Sequence, residues 1–261
     1  MADWRPLSLH HPLYAGLAGL VLPSFADWPD QAELDALTGR CASPVRFVLG
    51  LEPDVYYEQH IAQTGEVPTR RRNWHDWFNA LAWLAWPRAK TALNRRHVRA
   101  IARGEVRRGP ARDAATLLDE SGILIPVSDS HLGHLIDQMR WDALFLEHRQ
   151  DWGSRIGAFA LGHALWETGL APFIGWCGKA LVVQVDDGFF RMEHRAQRDW
   201  LDAWLAEQLD DDARLADTHR LWPLPLLGIP GWCADNEDPA FYANRDYFRS
   251  SRRAKSSTVT S

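Results

Sequence analysis

The clearest periodicity in the chain lies between Asn73 and Trp86. There Trp74, Trp77, Phe78, Leu81, Leu84 and Ala85 recur on one face of a 3.6-residue helix. Pro87 lacks an N–H and disfavours helix in the residue before it, so this helix is predicted to end or kink near Trp86. A second helix is predicted through to about Arg103, with Gly104 closing it. Upstream, residues 31–38 read as a short helix, 45–49 as a strand, 56–63 as a helix, and Val67-Pro68 as extended chain. Downstream, two apolar runs at 115–118 and 123–127 are joined by Asp119-Glu120-Ser121-Gly122, which predicts a β-hairpin with a tight turn. Residues 131–148 and 154–169 carry the helical period, and 180–185 read as a strand. A last helix at 193–209 is expected to turn Trp200, Trp204 and Leu205 inward.

The C-terminal part is patterned differently. Residues 222–232 hold Pro223, Pro225, Gly228, Pro230 and Gly231, which predicts a shaped loop. Asp238-Pro239 opens a capped helical turn, with the carboxylate as N-cap and proline at the first helical position. Beyond Phe248 no large apolar group follows, so residues 250–261 are expected to be a disordered tail. No repeat and no linker interrupts the pattern. Residues 1–249 are therefore expected to form one globular domain of α+β class. It should be mostly helical, with a β-hairpin, a few further short strands and an aromatic-rich core.

Composition changes this picture in two places. Tryptophan occurs 14 times in 261 residues, and its large area and N–H suit core edges and binding surfaces alike. Cys41, Cys177 and Cys233 are odd in number and form no CxxC pair, which argues against a disulfide scaffold and fits a reducing cytoplasm. The apolar run at 12–23 is far shorter than the ~20 residues a membrane helix needs. It also lacks a basic leader, since only Arg5 precedes it and Asp3 offsets that charge, so it reads as a buried N-terminal segment.

Charge is uneven. Residues 67–112 carry twelve basic side chains against Asp76 and Glu105, a strongly positive segment in a chain whose net charge is −5. Arg95, Arg99 and Arg103 recur every fourth residue and draw one helical stripe, able to meet an acidic ligand or partner, or this protein's own acidic remainder. The candidate binding residues are Arg70, Arg72, Lys90, Arg95 and Arg99, with Asn236 from the C-terminal Asn-Glu-Asp-Pro element. Nucleic acid is disfavoured, because the acidic remainder repels it from other approaches.

Several of these motifs occur together in one family. The run Val67-Pro68-Thr69-Arg70, then Trp74-His75-Asp76-Trp77-Phe78-Asn79-Ala80-Leu81, then Trp86-Pro87 resembles a family of bacterial proteins, domain of unknown function number 3025. Asp119-Glu120-Ser121-Gly122, Gly162-His163-Ala164-Leu165-Trp166-Glu167 and the Pro-Gly-Trp and Asn-Glu-Asp-Pro-Ala-Phe-Tyr elements agree with it. The likeness spans residues 45–249. It implies a stand-alone bacterial domain and no particular activity or cofactor.

Three groups of residues suit chemistry. His75 and Asn79 lie one turn apart beside the aromatic stripe, with Asp76 adjacent; the spacing favours Asn79 over Asp76 as the partner of His75. His163 and Glu167 continue an apolar stripe, where ionisable groups need partners, and at this spacing they can pair with each other. Asp119 and Glu120 offer oxygen ligands or acid–base groups, but the tight-turn reading is favoured for them. No P-loop, dinucleotide-binding glycine motif or nucleophile elbow is present, and Cys177 has no histidine nearby in sequence. Two function classes remain. One is an enzyme, acid–base or metal-assisted, with His75, Asp76, Asn79, His163 and Glu167 as its catalytic candidates. The other is a binding module built on the basic segment from Arg70 to Arg103.

Overall fold

The computed structural model describes residues 4, 11–17, 19, 20, 22, 25–104 and 109–250; the expected tail beyond 250 lies outside them. Its elements in chain order are α1 (Gln31–Arg40), β1 (Arg46–Leu49), α2 (Tyr57–Thr64), β2 (Glu66–Thr69), α3 (Trp74–Ala85), α4 (Pro87–Ala102) and α5 (Pro110–Ser121). There follow β3 (Gly122–Val127), α6 (Ser130–Asp137), β4 (Phe159–Ala160), α7 (His163–Thr168), β5 (Cys177–Gln184), α8 (His194–Asp210) and β6 (Trp222–Pro225). The class is α+β. β1 and β2 form a parallel pair, and the second sheet has the order β4-β3-β5-β6, parallel only between β3 and β5. One contiguous hydrophobic core runs beneath both sheets and includes Leu13, Tyr14 and Leu17 of the N-terminal segment. No helix among the described residues is long and apolar enough to cross a membrane.

α3 is the central helix. The Asn73 side chain caps it by accepting from the Asp76 N–H at 3.0 Å. All of its residues except His75 and Asp76 are buried, so the aromatic stripe and the alanines opposite it both pack inside. The break at Pro87 is real: α4 starts there, with proline at the first helical position. The N-terminus of α4 is capped by a different helix. Asp202 of α8 accepts from the backbone N–H groups of Arg88 at 3.1 Å and Ala89 at 2.8 Å.

Five local expectations are corrected. Residues 115–127 are not a hairpin, because α5 runs into β3 without a turn. Pro110 starts that helix, and Ala114, Ala115 and Leu118 are its buried face. Gly122 is required for closeness and not for a turn: its φ is −69°, and a Cβ on it would lie 2.4 Å from the Leu118 carbonyl oxygen. The helical period at 154–169 resolves into β4 and the short α7, and that at 131–148 into α6 and a π-helical turn at Ala143–Glu147. The Pro-rich 222–232 segment begins with β6, an edge strand, where a missing N–H is tolerated. On α8, Leu205 is fully buried and Trp204 packs on the core, but Trp200 lies outward against Phe189.

Candidate metal centre

Three helices bring their ends together at one point. His75 is the second residue of α3, Glu120 sits in the last turn of α5, and His163 opens α7. Gly162 makes this convergence sterically possible. The N–H groups of Leu161 and Gly162 both donate to the Gly122 carbonyl, at 3.0 and 2.9 Å. A Cβ on Gly162 would lie 2.5 Å from the Glu120 carbonyl oxygen, so only glycine lets the chain pass this close. The next side chain, His163, therefore emerges beside Glu120.

The resulting geometry is tight. Nε2 of His75 and Nε2 of His163 are 3.0 Å apart, and Glu120 Oε2 is 3.8 Å from the first and 3.6 Å from the second. On its other side, His75 Nδ1 is 3.1 Å from Glu167 Oε2. Glu167 thus pairs with the histidine of a neighbouring helix and not with His163 one turn before it. His163 is buried, and its Nδ1 has no hydrogen-bond partner; the nearest carboxylate oxygen there, Asp119 Oδ1, is 4.0 Å away. Burial drives the His163 pKa down to about 3, so the ring is neutral. Burial also raises the pKa of Glu120.

These groups line one end of a cleft of about 520 Å³. Its wall includes Tyr57 and Glu58 of α2, Asn79 and Trp83 of α3, Lys90 and Asn94 of α4, and Asp119 of α5. Lys90 is buried and donates to Asp119 and, at 2.8 Å, to Asn79 Oδ1. Asn79 Nδ2 in turn donates to the Tyr57 hydroxyl at 2.9 Å. Burial pushes Asp119 toward protonation, but the Lys90 ammonium beside it outweighs this and holds its pKa below the usual range. Tyr57 is shifted upward by burial and stays protonated.

The sequence candidates divide into three fates. His75, His163 and Glu167 come together as one constellation. Asn79, Lys90, Asp76 and Arg70 line the same cleft, and there Arg70 donates to Asp76 through Nε, Nη2 and its backbone N–H. The others lie apart. Arg72 pairs with Asp27 at 3.5 Å, Arg95 with Asp210 at 2.7 Å, and Arg99 and Arg103 with Asp212 at 3.0 and 2.7 Å. Asn236 is buried and donates to the Leu227 and Ile229 carbonyls, fastening the proline-rich loop. Sequence reasoning set aside Glu120 and Asp119 and passed over Tyr57. The signal that would have found the carboxylates is the helical spacing of Ala114, Ala115 and Leu118, which puts the acidic pair on a helix end. Burial raises the Cys177 thiol pKa, which leaves it unactivated.

The chain belongs to a family described as a protein of unknown function, DUF3025, whose sequence profile matches residues 45–252. No curated protein and no solved structure matches it. The matched region contains all three helix ends that form the centre.

Proposed function

We propose that His75, His163 and Glu120 hold a divalent transition-metal ion, and that this centre carries out metal-assisted hydrolysis of a small substrate bound in the cleft. The observation that carries the reading is the convergence of three possible ligand atoms on one point. Glu167 draws the His75 proton to Nδ1, which leaves a lone pair on Nε2. Nδ1 of neutral His163 faces Asp119 Oδ1 at 4.0 Å, and a proton there turns a second lone pair on Nε2 toward the first at 3.0 Å. A carboxylate oxygen of Glu120 completes the group, and all three donor atoms lie within 4.8 Å of one another. Three electron-rich atoms pointing at one place are stabilised by a cation.

The spacings suit such an ion. Bonds of ~2.0–2.1 Å at tetrahedral angles place donor atoms about 3.4 Å apart, and the separations here are 3.0, 3.6 and 3.8 Å. Two imidazoles and one carboxylate suit zinc, iron, nickel or cobalt better than magnesium or calcium. Three protein ligands leave a position open to water or substrate on the cleft side. Held by His75, His163 and Glu120, such an ion would supply a Lewis acid and lower the pKa of a water for hydrolysis.

The test is to strip the protein with chelator, reload it with zinc, cobalt, manganese or magnesium, and follow both Tm and hydrolysis of ester, amide and phosphoester panels. The reading expects a Tm rise with zinc or cobalt and metal-dependent turnover of at least one class. Absence of any metal response overturns it. The alternative, a binding module on the basic segment, is weakened because Arg95, Arg99 and Arg103 already meet aspartates of the same chain.

A further inference from the structure

We infer that Lys90 is a positioning residue for this centre. On one side it holds Asp119 as the orienting partner of His163, and on the other, through Asn79, it presents the Tyr57 hydroxyl to the cleft. The inference rests on the metal reading above. A buried ammonium is costly unless it is paired, and Lys90 is 3% exposed. Its Nζ donates to Asp119 and Asn79 and lies 5.4 Å from the centroid of the Trp83 ring, so the buried charge is paired on two sides and faces an aromatic ring.

Each bond fixes the next. With Oδ1 of Asn79 taken by Lys90, the Asn79 amide must offer Nδ2 to Tyr57. The phenol oxygen then acts as acceptor, and its own proton is left to donate to a molecule in the cleft. In the other direction, Asp119 Oδ1 stands 4.0 Å from Nδ1 of His163, too far for a hydrogen bond. Asp119 is nonetheless the carboxylate that Nδ1 of His163 faces. The same arrangement already exists on the other ligand, where Glu167 meets Nδ1 of His75 at 3.1 Å. Each histidine thus has a carboxylate on its Nδ1 side, in contact for His75 and 4.0 Å off for His163, and Lys90 keeps the second one in place. Carboxylates in this role orient a ligand and raise its basicity.

Lys90→Met and the double variant Lys90→Met/Asp119→Leu separate positioning from mere packing. Losing one partner of a buried pair destabilises the fold, whereas replacing both with apolar groups restores much of the stability. The expectation is that the single variant loses both Tm and zinc affinity. The double variant should regain Tm while zinc affinity, measured by competition with a chromogenic chelator, stays about 10- to 100-fold below wild type. The cobalt absorption spectrum of the double variant should also differ from wild type. Recovery of zinc affinity along with Tm, with an unchanged cobalt spectrum, makes Lys90 structural and overturns the inference. If the wild-type protein binds neither zinc nor cobalt, the metal reading fails and this inference falls with it.

Discussion

The basic stripe on α4 and the histidine cluster beside it look alike in sequence, since both are charged or polar groups at helical spacing. In the fold they are opposites. Arg95, Arg99 and Arg103 are half-exposed and each is matched by an aspartate at the end of α8, within 2.7–3.0 Å. Every charge there has a partner, and solvent weakens each pair to little net value. At the cluster, Nε2 of His75, Nε2 of His163 and a carboxylate oxygen of Glu120 meet within 3.0–3.8 Å, and Nδ1 of the buried His163 is left without a partner. A saturated set of charges stabilises the protein a little. The cluster, where a Cβ on Gly162 would lie 2.5 Å from the Glu120 carbonyl oxygen, is the place where we propose a cation.

The comparison breaks first at the ligands. His75→Asn and His163→Gln should each weaken zinc binding by more than ~100-fold, beyond what loss of an orienting partner costs. The metal-free Tm should stay near wild type. Calorimetric melting with and without zinc checks both halves. If the variants melt many degrees early while the parent shows no response to metal, these residues are core groups.

Gly162→Ala is expected next in size. The added Cβ meets the Glu120 carbonyl oxygen, so α7 must shift away from α5. Overpacking of this kind costs roughly 3 kcal/mol, and zinc affinity should fall with it. A variant with wild-type melting and wild-type affinity shows that this close approach does not hold the centre together.

Asp202 sharpens the comparison, because it is a buried carboxylate with a structural partner and no metal. Burial outweighs the two backbone N–H bonds from Ala89 and Arg88 and raises its pKa from 3.8 to about 6. Between those values the folded state binds more protons than the unfolded one. Stability from this group therefore falls as pH rises from about 4 to about 6, by about 1–3 kcal/mol in total, and stays low above that. Urea melts of wild type and Asp202→Asn across this range should diverge, wild type losing stability relative to the variant. A wild type that gains on the variant with rising pH contradicts the assignment.

The smallest effect belongs to the stripe. Replacing Arg95, Arg99 and Arg103 with Gln should cost up to about 1 kcal/mol per exposed pair, less at high salt, and leave zinc affinity unchanged. Binding of duplex or single-stranded nucleic acid in low salt should be absent before and after. A clear gel shift by wild type that the triple variant loses revives the binding module.

Much of the helical frame was legible in the sequence, and the centre only in part. The aromatic spacing from Trp74 and the break at Pro87 are local signals, and local physics decides them. His75 and His163 stood out because polar groups interrupted apolar faces. Their mutual contact spans 88 residues, and no spacing rule reaches that far. Glu120 was hidden by Gly122, which reads as a turn glycine but serves to let β3 leave α5 at close range. Glu167 was read as the partner of His163 because both sit on one helix, yet the contact with His75 of α3 prevails. The stripe was visible as a stripe. Its aspartate partners lie at the end of α8, more than 100 residues away in sequence.

Zinc X-ray absorption on the stripped and reloaded protein tests the central claim most directly, because it reports ligand type as well as occupancy. The account expects one zinc per chain bound by two imidazoles and light oxygen donors, no sulfur, and loss of the imidazole signal in the His75→Asn/His163→Gln protein. A protein that retains no zinc after desalting, or a sulfur-ligated signal that persists in that variant, contradicts it.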